Sequence, residues 1–536
     1  MMRGFAQRHG LLLGLMVLAL FKLWIVHPEE IYGSAAEYDH LWYVGSAKHW
    51  YWNAPYNWTA FVRPPAYPLW IALVHAIHLP QRLAIELLQL SAWLTLVFTL
   101  RRAGIPCWLG VIAFAVLALH PGSFQWYDYT MADAFYGAVL PFALAGFIGM
   151  MFGPARIWMS ILAGLAIAIL WNTREESVLL VLMGGAFVAL WLGREHALGD
   201  SWRVAIRKIR NPVLAMSAMS ILLVLTVYSA NYRTFRAFAK SEMSSRHFVA
   251  VFHALLRIKT DFAQRYVPIT SDSLEKAFAV SPTFAFLKSQ LEGEVGENWR
   301  TESLHRLGVR NEIGINWMMW AVRQAASNAG LYATPAKADH FYRKVTHEIN
   351  RACDEHRVES RRVFGDFIDP LTAKGWEFLP QSFREIMGLF IARYKFALTS
   401  DDAILRPDQR EIYDEMTLRS PPSERKIAAS TQMENWIGLG HRFFVIALMC
   451  GGAVAIIVLA FYFRRIRFTD PIYSIVGIFF VTIFLRVALF AMINATSWPA
   501  IDGRFLFPVM PLFNVMLLLL IYQAMQVSKP MLTKSR

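Results

Sequence analysis

Apolar residues along this chain fall in long unbroken blocks, not in short alternating runs. The blocks cover residues 11–26, 83–100, 107–121, 131–152, 157–171, 178–193, 213–230, 441–462, 472–493 and 505–526. A helix needs about 20 apolar residues to cross a bilayer, so each block reads as a membrane-crossing helix, some with short ends. An eleventh run, 65–79, is too short to cross. Basic residues set the direction of each crossing, because loops rich in Lys and Arg stay in the cytoplasm. Arg3 and Arg8 place the start of the chain inside, and Arg101-Arg102 place the end of the second long block inside. Both hold only if 65–79 lies in the interface or re-enters it. The clusters at Arg156, at Arg194 to Arg210, at Arg464 to Arg467 and at Lys529 and Lys534 then all fall on the same side. The expectation is an all-α polytopic membrane protein of about ten crossings with both termini cytoplasmic. The first block lacks a small-residue cleavage site and is read as a retained anchor.

Between the seventh and eighth blocks the pattern changes. Residues 231–438 are mostly polar and too long for a connecting loop. Stretches at 313–329, 336–353 and 378–397 carry apolar residues at helical spacing, as in Phe378, Phe383, Ile386, Leu389, Phe390 and Tyr394. Three parts are therefore expected: an N-terminal membrane module at 1–230 with a long first outer loop at 27–65, a mainly α-helical extracytoplasmic domain at 231–438, and C-terminal membrane helices with a basic tail at 439–536.

Composition agrees and narrows the class. The chain is 56% hydrophobic and 17% charged, against about 45–50% and about 25% in soluble proteins. The net charge of +14 follows from positive-inside loops, and no nucleic-acid-binding motif accompanies it. The three cysteines, Cys107, Cys353 and Cys450, suggest neither a disulfide framework nor a zinc site.

Under this topology the polar groups converge on the outer face. The first loop supplies Glu37, Asp39, His40, His49 and Arg63, and the second supplies Asp128 and Asp133. A short turn supplies Asn172, Arg174, Glu175 and Glu176, and the last loop supplies Asp502 and Arg504. Acidic residues beside a membrane are costly unless solvated or paired, which makes them functional candidates. Plainer readings stand beside that one. Asp133 suits the start of a helix, Arg174 and Arg504 suit headgroup anchoring, and the aromatic run from Trp50 to Trp58 suits an interfacial belt. His40, His49 and Asp128 could meet at a metal, but nothing in their spacing indicates one. The cytoplasmic loops hold few carboxylates and no phosphate-binding glycine motif, so any chemistry is expected outside. Soluble nucleotide donors are absent there in a bacterium, which favours a membrane-borne activated donor.

Asp39-His40-x-x-Tyr43, Ala47 and Arg63-Pro64-Pro65-x-Tyr67-Pro68-Leu69 together resemble the first outer loop of the GT-C superfamily of membrane glycosyltransferases. The likeness is greatest to the branch of lipid A aminoarabinose transferases and protein O-mannosyltransferases. Thr173-Arg174, and Gly503-Arg504-Phe505-Leu506-Phe507-Pro508-Val509-Met510-Pro511, resemble two later features of that superfamily. The resemblance spans about 1–230 and 440–530 and leaves 231–438 unassigned. It implies an inner-membrane enzyme that takes a sugar from a polyprenyl-phosphate donor, with inversion, to a lipid, glycan or protein acceptor. It implies Asp39 as general base, with Asp128 or Asp133 as the second acid. It implies Arg174 and Arg504, then Arg63, as phosphate ligands, with His40, Tyr43, Tyr67, Glu175 and Asp502 lining the substrate site. Relatives often carry a second acid beside the first-loop Asp. Here that place is His40, which argues against copying a shared-carboxylate or metal scheme.

A transporter or lipid flippase could use the same outer charges for binding. It would carry ionisable groups near mid-membrane, for which Glu86 and Arg486 are the visible candidates. A plain membrane anchor for the polar domain would not need ten crossings.

Overall fold

The computed structural model describes residues 2–27, 29–32, 39–260, 264–363, 373–392, 394, 407–419, 424–465, 467 and 469–529. Glu37 and Lys534 lie outside these residues. The fold is all-helical, and eight helices among the described residues are long and apolar enough to cross a membrane. The chain is a multi-pass helical membrane protein.

The helices run in this order. Helix α1 is Met2–Val26, α2 is Asp39–Lys48, α3 is Ala66–Ala76, α4 is Gln81–Arg102 and α5 is Cys107–Ala118. Then come α6 Ala132–Phe152, α7 Arg156–Trp171, α8 Ser177–Ala197 and α9 Trp202–Phe235. The polar region contains α10 Arg246–Arg257, α11 Ile315–Asn328 and α12 Pro335–Asp354, with shorter helices between them. Last come α13 Ala373–Leu389, α14 Pro407–Thr417, α15 Glu424–Phe461, α16 Pro471–Thr496 and α17 Met510–Ser528.

Helix α6 is the centre of the membrane part. In its apolar stretch 89% of residues are buried, against 6% in that of α9. Helix α6 packs on α4 and α7. Small residues permit the second contact: a side chain at Gly146 would come within 2.6 Å of the Ala163 methyl. Close backbone approach of this kind is how membrane helices gain packing energy when lipid is as apolar as leucine.

Ten blocks were expected to cross, and two of them are short as helices. Helix α5 has 12 residues and α7 has 16, or about 18 and 24 Å at 1.5 Å per residue. The chain leaves α5 at Leu119, two residues before Pro121, and proline disfavours helix in the residue ahead of it. Helix α7 ends where the Asn172 side chain donates to the Ala168 carbonyl at 2.9 Å. The run at 65–79 forms the 11-residue α3, too short to cross.

The polar region holds a core of its own, with Phe252, Leu255, Ala321, Tyr342 and Ile349 all buried. Two of its later helices behave differently. Ile386 of α13 and Tyr413 of α14 join the core of the membrane part. Helix α13 packs on α16, and α14 packs on α2 and α3. Helix α15 starts at Glu424, so the helix extends about five turns ahead of the apolar block that revealed it.

Candidate active site

The first loop is held in a defined shape by its aromatic residues. Trp50, Tyr51 and Phe61 take left-handed backbone conformations, with φ of 49°, 66° and 60°. Bulky residues rarely do so, and such positions persist only where surrounding structure enforces them. Tyr51 and Phe61 are buried against Phe235 at the end of α9. The Tyr51 hydroxyl donates to the Arg63 carbonyl at 2.6 Å. The Ala66 amide donates to the Asn172 carbonyl at 2.9 Å, which ties the first loop to the turn after α7.

Two arginines organise the charges so joined. Arg63 donates to Asp39, the first residue of α2, at 2.6 Å. Its other terminal nitrogen lies 4.0 Å from Glu175. Arg174 pairs with Asp133, in the first turn of α6, at 2.5 Å. It also grips Glu176 through Nε and Nη2 at 2.7–2.9 Å. Burial alone would push the Glu176 carboxyl up, but the Arg174 guanidinium outweighs burial and holds it at about 2. Lys240, just beyond α9, donates to the Arg174 carbonyl at 2.8 Å and the Glu175 carbonyl at 3.2 Å, and contacts the Ser177 hydroxyl. Burial lowers its ammonium to about 8, against the pull of Glu175 and Glu176.

The last loop reaches the same place through Phe505. The Arg174 and Arg504 guanidiniums lie 5.5 and 4.5 Å from that ring. Asp502 accepts from the Arg504 amide at 2.9 Å and pairs with its side chain at 3.0 Å. Burial raises the Asp502 carboxyl. Arg486 of α16 lies behind, donating to the Phe505 carbonyl. Its two terminal nitrogens are buried without a hydrogen-bond partner, and it helps line a small cavity with Tyr136, Leu180, Met183 and Thr482.

The polar region contributes a wall. Trp320 of α11 stacks on Trp42 of α2 at 4.7 Å. The Arg63 guanidinium lies 5.7 and 5.6 Å from these two rings. One turn further along α11, Arg323 donates to Glu242 and to the Trp58 carbonyl.

Most of the residues singled out in the sequence meet here: Asp39, Arg63, Asp133, Arg174, Glu175, Asp502 and Arg504. Tyr43 and Tyr67 lie behind them, both buried, with ring centroids 5.0 Å apart. His40 is fully buried and faces Tyr413 of α14 at 5.9 Å. Burial lowers its imidazole to about 4, so it is neutral at ordinary pH. Asp128 is drawn elsewhere: its carboxylate accepts from Arg82 at 2.8 Å, and burial, with Glu29 beside it, pushes it up. Among the described residues, no three His, Cys, Asp or Glu side chains are grouped so as to hold a metal. Sequence reading missed Lys240, Trp320 and Arg323. The only local signal was Lys240 itself, a charge five residues past the end of a membrane helix.

These features define an all-helical multi-pass membrane protein with a polar cluster where its loops and its extramembrane helices meet. No family model and no curated protein matches the chain. Among solved structures it is similar to the crystal structure of ArnT from Cupriavidus metallidurans bound to undecaprenyl phosphate, at 13% identity. The match covers 90% of this chain and 77% of that one, with a TM-score of 0.32.

Proposed function

We propose that this protein is an inverting glycosyltransferase of GT-C type, which moves a sugar from a polyprenyl-phosphate donor to an acceptor hydroxyl at the outer face of the membrane. The observation that carries the reading is the meeting of a carboxylate–guanidinium pair, Asp39 and Arg63 at 2.6 Å, with the Arg174 and Arg504 guanidiniums stacked about Phe505. In the reaction the acceptor oxygen bonds to the anomeric carbon from the face opposite the leaving group. The bond from that carbon to the phosphate oxygen breaks, and the hydroxyl proton passes to Asp39. The charge left on the lipid phosphate falls to Arg174 and Arg504, whose planar donors suit phosphate oxygens. Asp133 sets Arg174 in place and is the second acid in this scheme, while Asp128 is paired with Arg82 outside it. Tyr43, Tyr67 and His40 back the site, and Glu175 and Asp502 line its open side.

The test uses the purified protein in lipid vesicles with a polyprenyl-phosphate sugar and a panel of acceptors. Release of lipid phosphate is expected, and Asp39→Asn should slow it by about 10²–10⁴-fold, the usual contribution of a general base. A folded Asp39→Asn protein that transfers at the full rate would overturn the assignment. A second reading, a transporter or lipid flippase, is favoured by one observation: Lys22, Arg82 and Glu86 are buried charges on membrane-spanning helices. Movement of the lipid across the vesicle without release of phosphate would select it.

A further inference from the structure

Arg486 lies on α16, a helix long and apolar enough to cross a membrane, and is only 2% exposed. Its Nε donates to the Phe505 carbonyl. The ring centres of Tyr136 and Phe490 lie 4.9 and 5.1 Å from its guanidinium carbon. Its two terminal nitrogens, which carry most of its N–H groups, are buried without a hydrogen-bond partner. Among the described residues no carboxylate pairs with Arg486. Asp133 and Glu176 are both taken up by Arg174.

A guanidinium does not give up its proton inside a protein, so this side chain cannot escape burial by becoming neutral. A charge held away from water is costly unless it is paired and hydrogen-bonded. Two ring faces and one carbonyl offset part of that cost, and the terminal N–H groups remain open to the cavity that Arg486 lines. That cavity holds about 280 Å³ of empty space, part of it open to the surroundings. Its wall is otherwise mainly apolar, with Leu140 of α6, Leu179, Leu180 and Met183 of α8, and Leu485 of α16. The three α8 residues fall in the first two turns of that helix, at the candidate-site end of the bundle. Beside them Val178, Val181 and Leu182 of α8 and Phe484 of α16 are exposed, an apolar surface of the kind that lipid covers. A planar fork of donors suits phosphate or carboxylate oxygens, while the apolar wall suits a hydrocarbon chain. Together they select an oxyanion carried on an apolar chain, and a membrane supplies that chemistry as phosphate lipids.

We propose that the cavity between α8 and α16 binds a lipid phosphate, with phosphate oxygens on the terminal nitrogens of Arg486 and the chain leaving between the two helices into the bilayer. The phosphate supplies the counter-ion that the buried guanidinium lacks. The site is separate from the candidate active site: Arg174 and Arg504 meet the ring of Phe505, whereas Arg486 holds its main-chain carbonyl. The proposal rests on the cavity and its cation, and it stands under the transferase and the transporter readings alike. Two sources share this chemistry, a polyprenyl phosphate and an anionic phospholipid of the bilayer, and the test separates them.

The test is photo-crosslinking of the full chain in phosphatidylcholine vesicles. One arm adds a polyprenyl phosphate and the other a phosphatidylglycerol, each carrying a diazirine on the first carbons of its chain. Adducts are expected on the lining residues Leu179, Leu180, Met183 or Leu485 in at least one arm, and the arm that gives them identifies the source. Arg486→Gln should reduce them by about tenfold or more, because charge-assisted hydrogen bonds are lost. Leu180→Trp, which narrows the cavity and keeps the cation, should reduce them as well. Arg504→Gln should leave them in place. Wild-type adducts confined to lipid-facing residues such as Val181 and Phe484, in both arms, would overturn the proposal and leave water as the partner of Arg486. That outcome is read on the wild-type protein, whether or not the variants fold. Adducts on the lining residues that persist in folded Arg486→Gln, or that are lost in Arg504→Gln instead, would overturn it too.

Discussion

Asp133, Arg174 and Glu176 form the tightest knot in the candidate active site, and its energetics are open to direct measurement. Glu176 is held at about 2 against an ordinary value of 4.5. A carboxyl depressed on folding contributes stability that is present above its unfolded value and lost as pH falls toward its folded one. Wild-type thermal stability should therefore decline between about pH 4.5 and pH 2, and Glu176→Gln should remove part of that decline while lowering stability at neutral pH. Identical pH profiles for the two proteins would show that Glu176 is not held by Arg174 as described. The same knot shows what a linear reading can and cannot reach. Asp39, Arg174 and Arg504 stood out because charges beside apolar blocks are costly. Asp128 and Asp133 could not be separated, because they lie five residues apart where one short loop runs into a helix. Only folding shows that one faces Arg82 and the other Arg174. Lys240 was out of reach for a related reason: it meets the 174–177 turn across more than sixty residues of chain, and no local pattern encodes that.

Among the elements, α11 links the polar region to the first loop, and both of its contacts can be broken singly. Arg323 is fully buried with Glu242, and removing one partner of a buried ion pair leaves the other uncompensated, at about 3–5 kcal/mol. Arg323→Ala should lower the melting temperature and make the chain near Trp58 more open to protease. Trp320→Ala should act differently. It removes one of the two rings beside Arg63 without creating a buried charge, so stability should fall less and sugar transfer should fall more. Equal losses of stability and activity in the two variants would mean that α11 is only a structural prop. The elements themselves were legible wherever hydropathy and helix coincide, as in α4, α6 and α16. They were less so where the two part company. Helix α15 begins at Glu424, because a helix need not stop at the membrane surface, whereas an apolar block does. Helices α13 and α14 were counted with the polar domain, yet Ile386 and Tyr413 are buried in the same apolar core as the membrane helices. Amphipathic spacing shows that a helix has an apolar face but not what covers it.

The whole molecule has two polar poles, and the proposed function requires a definite orientation for them. One pole carries the candidate active site and the extramembrane helices. The other carries Arg194, Arg203, Arg207, Lys208 and Arg210 around the start of α9, a density of basic residues that the positive-inside rule assigns to the cytoplasm. The proposed function needs donor lipids with sugars already attached to be met at the first pole, where no soluble nucleotide is needed. Single-cysteine labelling decides the matter. In a background with Cys107, Cys353 and Cys450 replaced, Ser289→Cys in the extramembrane helices should react with a membrane-impermeant maleimide in intact cells. Arg203→Cys should react only after the membrane is opened. The reverse pattern would put Asp39, Arg174 and Arg504 in the cytoplasm, where nucleotide sugars are available, and would remove the reason for a lipid-borne donor while leaving the fold and the charge pairing as they stand. Reaction of both sites in intact cells would mean that α9 does not cross, despite its 34 residues. The crossing order of every helix after it would then have to be redrawn.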